Sequence, residues 1–286
     1  FTTAAHLPTV LSDLGLSAEL HLLPAQPVHA LRLIRGLGAR FERLYLGPYP
    51  RLKTRILGQV VAPGRVWSVR HSGVSSFVSE QVQADVRAQG FDVPDAARQP
   101  YGGRWDYPSQ TMPGDSSGHL VLHPGAKDRW ETTRWPLTHW AELLRALLEA
   151  TSAELVLVGS SAERVSLEAL AAPSLPAARE RIHIRTDLSL AQLARVVDSS
   201  MGVICHNSGV LHLSAMLGKP TVALTGSSAN FWRPPYPHVV NITSGACDLA
   251  CNQYRCPVPF YRARCIRELA VDAVMQVVRT RLLQSG

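Results

Sequence analysis

From His119 onward, five short apolar runs alternate with four segments of helical period, and this alternation constrains the fold more than any other feature of the chain. His119–His123, Glu154–Val158, Ile182–Ile184, Met201–Cys205 and Thr221–Leu224 read as strands. Leu137–Ala150, Ala162–Ala171, Leu190–Val197 and Gly209–Leu217 read as the helices between them. Strands separated by helices pair in parallel, with the helices covering both faces of the sheet. Ligands of such sheets bind outside the carboxyl ends of the strands, so the residues directly after each strand carry the functional information.

The first part of the chain repeats the pattern. Ala4–Leu14 and Val28–Leu37 read as helices, Ala18–Leu23 and Phe41–Leu46 as strands. A doubly wound domain opens on a strand, whereas this chain opens on a helix-like segment, so its first strand is expected to precede Phe1. Between Asp92 and Gly118 the sequence fills with Pro, Gly, Ser, Asp and Tyr and loses periodicity, as a linker does. Two domains are expected, 1–115 and 116–286. No internal repeat or low-complexity tract is evident.

Four strand ends offer small residues whose backbone N–H groups can approach a ligand. They are His123-Pro124-Gly125-Ala126-Lys127, Gly159-Ser160-Ser161-Ala162-Glu163, His206-Asn207-Ser208-Gly209-Val210-Leu211-His212 and Thr225-Gly226-Ser227-Ser228. A helix opening after such a turn favours an anion, and a diphosphate is the natural occupant. None of the turns ends in Gly-Lys-Ser/Thr and none reads Gly-x-Gly-x-x-Gly, which argues against nucleotide hydrolysis and hydride transfer. Singly, each turn is an ordinary strand-to-helix connection; their convergence on one sheet edge is the stronger signal.

Read in order, Leu120 to Asn241 resembles the C-terminal domain of glycosyltransferase family 9, the bacterial heptosyltransferases. The resemblance rests on His123-Pro124-Gly125-Ala126, Trp135-Pro136, Val158-Gly159 with Glu163, and Leu190 to Ala194. It continues through Ser208-Gly209-Val210-Leu211-His212-Leu213 to Gly218-Lys219-Pro220-Thr221-Val222. It implies an α/β protein of GT-B type, with two Rossmann-like doubly wound domains facing a cleft. The N-terminal domain would hold the acceptor and the C-terminal domain the nucleotide-sugar donor. It further implies that Ser208, Gly209 and His212 lie against the donor diphosphate and that Gly125, Ala126 and Lys127 approach it from the first loop. Glu163 would face the ribose, the segment Leu188 to Leu190 would border the adenine, and Gly159 and Asn207 would belong to the same donor site. A carboxylate accepting ribose hydroxyls and N–H groups on a diphosphate are chemically sensible partners. Glu163 could equally favour the first turn of its helix, and His212 could pack under its own.

Two positions depart from the family pattern. Asn207 stands where an Asp is common, keeping the hydrogen-bonding shape without the charge. Thr133 stands where a Lys is common, leaving Arg134, Lys127 or Arg129 to neutralise the diphosphate. The expected catalytic base, an Asp at the opening of the first N-terminal helix, is not visible: either it precedes Phe1 or another group serves, with His6 and Asp13 as candidates.

Four cysteines fall in one window, Cys247-x3-Cys251-x4-Cys256-x8-Cys265. They fit a structural iron or zinc site, a pair of disulfides or four free thiols. Relatives that glycosylate autotransporter adhesins carry an iron-binding cysteine finger near this point and assemble into rings, and the cluster looks similar, which brings in a homo-oligomer. Cys205, on a strand end, reads as a small buried apolar residue.

The net charge of +7 suits acidic partners. Arg32, Arg35, Arg40, Arg43, Arg51, Lys53 and Arg55 would suit an anionic acceptor or hold the protein at a membrane surface. No apolar run is long enough to span a bilayer. The resulting expectation is a cytoplasmic inverting transferase, peripheral to the inner membrane, moving a heptose from ADP-heptose to a hydroxyl of lipopolysaccharide inner core or of a protein, with no organic cofactor. The alternative is a catalytically silent nucleotide-sugar-binding or scaffolding protein of the same fold. Nucleic acid is not expected as a partner, because the cysteines lack the tight pairs of a metal knuckle.

Overall fold

The computed structural model describes residues 44–46, 66–68, 87–88, 118–125, 134–174, 176–226, 233–234, 236–247, 256–258, 260 and 262–283. The chain divides into two compact units, Phe1–Pro94 and Asp95–Gly286. In the first, β1 (Leu44–Leu46) pairs in parallel with β2 (Val66–Ser68), placing Tyr45 opposite Trp67. The expected helices Ala4–Leu14 and Val28–Leu37 and the strand Ala18–Leu23 lie outside the described residues, as do His6 and Asp13.

The second unit is built on a six-stranded parallel sheet. Its strands are β3 (His119–His123), β4 (Glu154–Val158), β5 (Ile182–Arg185), β6 (Gly202–His206), β7 (Thr221–Leu224) and β8 (Val239–Ile242). Their order across the sheet is β5-β4-β3-β6-β7-β8. The chain therefore winds outward from β3 to β5, returns to the other side of β3, and winds outward again to β8. The point where it reverses lies between β3 and β6, the place where doubly wound sheets open a crevice for ligands. The sequence reading stopped at five strands; β8 is the correction. Its Val-Val-Asn-Ile run is half-exposed at the sheet edge, so it lacks the unbroken apolar character of the central strands.

Central strands are apolar on both faces because helices cover both. Leu120, Val121 and Leu122 of β3 and Val203, Ile204 and Cys205 of β6 are wholly buried, with Val121 opposite Val156 on one side and Val203 on the other. Helix α1 (Leu137–Ala150) places Trp140, Leu143, Leu144 and Leu147 at helical spacing, and all four are buried. Its last carbonyls would be orphaned, but the Arg181 guanidinium donates to Leu148 O, Thr151 O and Ala153 O, closing that end with a positive charge.

After β4 comes a 3₁₀ turn, Ser161–Glu163, and then α2 (Arg164–Ala171). The expected helix from Ala162 thus begins as a tighter turn. A short helix α3 (Pro176–Arg179) precedes β5, α4 (Leu190–Asp198) follows it, and α5 (Gly209–Met216) links β6 to β7. Beyond β8, α6 (Arg264–Arg267) and α7 (Val271–Val278) bring the C-terminal segment back onto α1, burying Ile266, Leu269, Val274, Met275 and Val278 in the same core. Leu282 reaches the start of β6, where a Cβ on Gly202 would meet its Cδ2 at 2.6 Å.

Candidate functional site

Two loops meet at the reversal point, and side chains tie them together. Ser208 Oγ lies 3.1 Å from His123 Nδ1, joining the end of β6 to the end of β3. His206, the last residue of β6, is fully buried, and its Nε2 accepts hydrogen bonds from the Trp135 backbone N–H at 3.0 Å and the Trp140 indole N–H at 3.2 Å. An imidazole nitrogen accepting twice carries no proton, so the proton sits on Nδ1, which donates to Gly125 O at 3.3 Å. Burial, with the neighbouring His123 adding in the same direction, pushes the His206 pKa down to about 3. A neutral imidazole thereby fixes the first loop, the start of α1 and the end of β6 in one arrangement. The sequence alone assigns His206 no role, because its partners stand 71 and 66 residues away, beyond the reach of local pattern.

Ser208 occupies the N-cap of α5 with extended backbone angles, yet its side chain makes no cap hydrogen bond. Its hydroxyl goes to His123 instead, so no Ser208 oxygen closes the first amides of α5. Gly209 follows with open space where a Cβ would sit. Asn207 and Ser208 are half-buried; His212, on the exposed side of α5, has its pKa lowered by the protein packed around its ring. Burial likewise lowers the pKa of His123, with Glu163 opposing the shift.

On the β4 side, Glu163 Oε2 accepts from both the backbone N–H and the hydroxyl of Ser160, each at 2.7 Å. The carboxylate thus caps its own turn, the alternative role the sequence left open for it, and also faces the first loop. A Cβ on Gly125 would lie 2.0 Å from Glu163 Oε1, and one on Gly159 would lie 3.2 Å from Oε2. Both glycines therefore leave room for this carboxylate.

Gly125, Arg134 and Glu163 line a cavity of about 430 Å³ together with Pro124, Trp135, Pro136, Leu137, Ser166, Leu167 and Arg267. Two guanidiniums and one carboxylate over an apolar floor suit an anion with a hydroxylated arm. Ser208, Gly209 and His212 do not line this cavity; His206 and His123 connect their loop to it. Leu188 is half-buried beyond β5, outside the lining. Arg267 was not among the residues singled out from sequence. It reaches the cavity because the Trp135 indole N–H donates to Leu269 O at 2.8 Å, holding the C-terminal segment against the site. Ala126, Lys127, Arg129, Thr133, Ser227 and Ser228 lie outside the described residues.

The pattern of glycosyltransferase family 9 (heptosyltransferase) matches residues 65–261. The chain belongs to this family. It is 29% identical over 110 residues to lipopolysaccharide heptosyltransferase 2 of Escherichia coli K12, an alignment covering 38% of this chain and 31% of that protein. The chain thus spans about a third of the length of the curated relatives it matches. Among solved structures it is similar to the E. coli ADP-heptose lipopolysaccharide heptosyltransferase II, with a TM-score of 0.60 at 19% identity over 88% of this chain and 81% of that one. It is also similar to the dodecameric iron-containing heptosyltransferase TibC of enterotoxigenic E. coli in complex with ADP-D-β-D-heptose. That match has a TM-score of 0.51 at 14% identity over 83% of this chain and 64% of that one. The fold is the α/β fold of GT-B heptosyltransferases.

The cysteine window is only partly described. Cys247 and Cys256 are half-buried thiols, Cys265 is buried, and Cys251 lies outside the described residues. Cys256 Sγ donates to Val258 O at 3.2 Å, as a protonated thiol does. Among the described residues no three His, Cys, Asp or Glu side chains gather as a metal site requires. Cys205 is buried with its thiol pKa pushed up by burial, which fits a packing residue and not a nucleophile. No described helix is long and apolar enough to cross a membrane.

Proposed function

We propose that the chain is an inverting glycosyltransferase that moves a heptose from ADP-heptose to a hydroxyl of lipopolysaccharide inner core or of a protein, with the donor held by the unit Asp95–Gly286. The observation that carries this reading is the joining of Gly125, Glu163, His206 and Ser208 across the reversal point of the sheet in a chain of this family. In this reading the Ser208-Gly209 turn and His212 meet the diphosphate through the first amides of α5, and Glu163 accepts ribose hydroxyls at the oxygen its cap leaves open. Leu188 borders the adenine. The proton of the acceptor hydroxyl leaves to a base outside the described residues. The protein works in the cytoplasm at the inner face of the membrane.

The test is incubation with ADP-heptose and deacylated inner-core acceptor, following ADP release and heptose transfer by mass spectrometry. Release of ADP coupled to a heptosylated, anomerically inverted product supports transfer. Asn207, a neutral amide where the family commonly has a carboxylate, favours a second reading as a silent nucleotide-sugar-binding protein. Donor binding without turnover selects it.

A homo-oligomer completes the proposal; a structural iron or zinc at Cys247, Cys251, Cys256 and Cys265 does not belong to it, because the three of these thiols that are described do not gather as a metal site requires. Mass photometry of the purified protein tests the oligomer: a discrete multimer supports it and a monomer removes it.

A further inference from the structure

The cavity beside Glu163 contains a cation that the family's motifs do not supply. Arg267 closes α6, and several features fix where that helix sits. Ala263, Cys265, Ile266 and Leu269 are buried around it, and Trp135 holds Leu269 O at 2.8 Å. Ser244 N donates to Cys265 O and Ser244 Oγ to Arg264 O. Arg262 and Ala263, with φ of 41° and 59°, enter the helix through the left-handed region, a backbone conformation that persists only where its surroundings impose it. The acidic neighbour, Glu268, pairs through both carboxylate oxygens with Arg264, at 2.6 and 3.1 Å. Arg267 itself lines the cavity with Arg134 and Glu163. With two guanidiniums and one carboxylate, the described lining carries a net positive charge.

We infer that Arg267, delivered by the C-terminal helical turn, binds the phosphate groups of the donor together with Arg134, taking over the cationic role left open by Thr133 on the first loop. This rests on the donor-site reading above and adds to it a residue from outside the strand-end loops. A guanidinium is suited to the task because its planar fork meets phosphate oxygens two at a time, which an ammonium cannot do.

The test is titration calorimetry of the full chain with ADP, adenosine and inorganic pyrophosphate, comparing wild type with Arg267→Ala, Arg267→Lys and Arg264→Ala. Arg264 lies on the same turn but outside the cavity lining, so its variant controls for the helix. The expected result is at least a tenfold loss of ADP and pyrophosphate affinity in Arg267→Ala, with partial recovery in Arg267→Lys. Adenosine binding should be unchanged and Arg264→Ala should match wild type. Wild-type ADP affinity in Arg267→Ala overturns the inference and leaves the donor site standing. Pyrophosphate binding that depends on Arg267 without any binding of ADP keeps the anion site and overturns the transferase reading. Equal losses for adenosine and ADP, or equal losses in Arg264→Ala, make Arg267 a structural residue and overturn the inference.

Discussion

The indole N–H of Trp140 donates to Nε2 of His206 at 3.2 Å with the two rings nearly perpendicular, at 85°. The same nitrogen takes the Trp135 backbone N–H, so one neutral imidazole satisfies two buried donors and, through Nδ1, the Gly125 carbonyl. In the unfolded chain this imidazole titrates near 6.5, and in the folded protein at about 3. Between those pH values only the unfolded chain binds the proton. Stability is therefore level above about pH 7 and falls as the pH drops from 6.5 toward 3, by an amount on the order of a few kcal/mol. His123, also shifted down by burial, adds in the same direction. His206→Leu should leave the two N–H groups unpaired, cost about 2–5 kcal/mol at pH 8, and flatten the slope between pH 7 and 5. Urea denaturation across that range measures both, and an unchanged slope would remove His206 as its source.

Gly125→Ala and Gly202→Ala separate a site effect from a packing effect. At Gly125 the new methyl meets the far end of Glu163, which can swing away. The expected outcome is a stability loss of about 1 kcal/mol from the disturbed cap, together with a clear loss of nucleotide affinity. Thermal melts paired with calorimetry distinguish this from unfolding.

At Gly202 the methyl would meet both Leu282 Cδ2 at 2.6 Å and the Pro220 carbonyl oxygen at 3.0 Å, and the carbonyl belongs to a sheet that cannot move aside. Gly202→Ala should cost about 1–3 kcal/mol by overpacking, with nucleotide affinity unchanged wherever the protein is folded. Adding Leu282→Ala should relieve only the side-chain part. A melting temperature equal to wild type would refute the close packing of the C-terminal segment on β6.

The fold was legible where burial is complete. β3, β4 and β7 keep the bounds that their apolar patterns predict, because a strand covered on both faces reads as an unbroken apolar run, and α1 keeps its bounds because its buried Trp140, Leu143, Leu144 and Leu147 recur at helical spacing. β8 was not, since an edge strand with half-exposed residues carries no such run. Helix α7 carries a readable signal in Val271, Val274, Met275 and Val278, spaced at i, i+3, i+4 and i+7. Within the site, the strand-end loops were visible as Gly and Ser turns. The tie between them was not, because His206 meets its Trp partners, and Arg267 joins Arg134, only after the chain has crossed the sheet.

The most direct test of a donor site at the carboxyl edge of this sheet is calorimetric titration with ADP of the wild type and of a Ser208→Arg, His212→Ala variant. The arginine would fill the turn before α5, and the alanine would remove the imidazole one helical turn on. Micromolar binding by the wild type, lost in a variant that melts at the same temperature, is the expected result. Absence of binding to ADP, UDP and GDP, or equal ADP binding by both proteins, would contradict it.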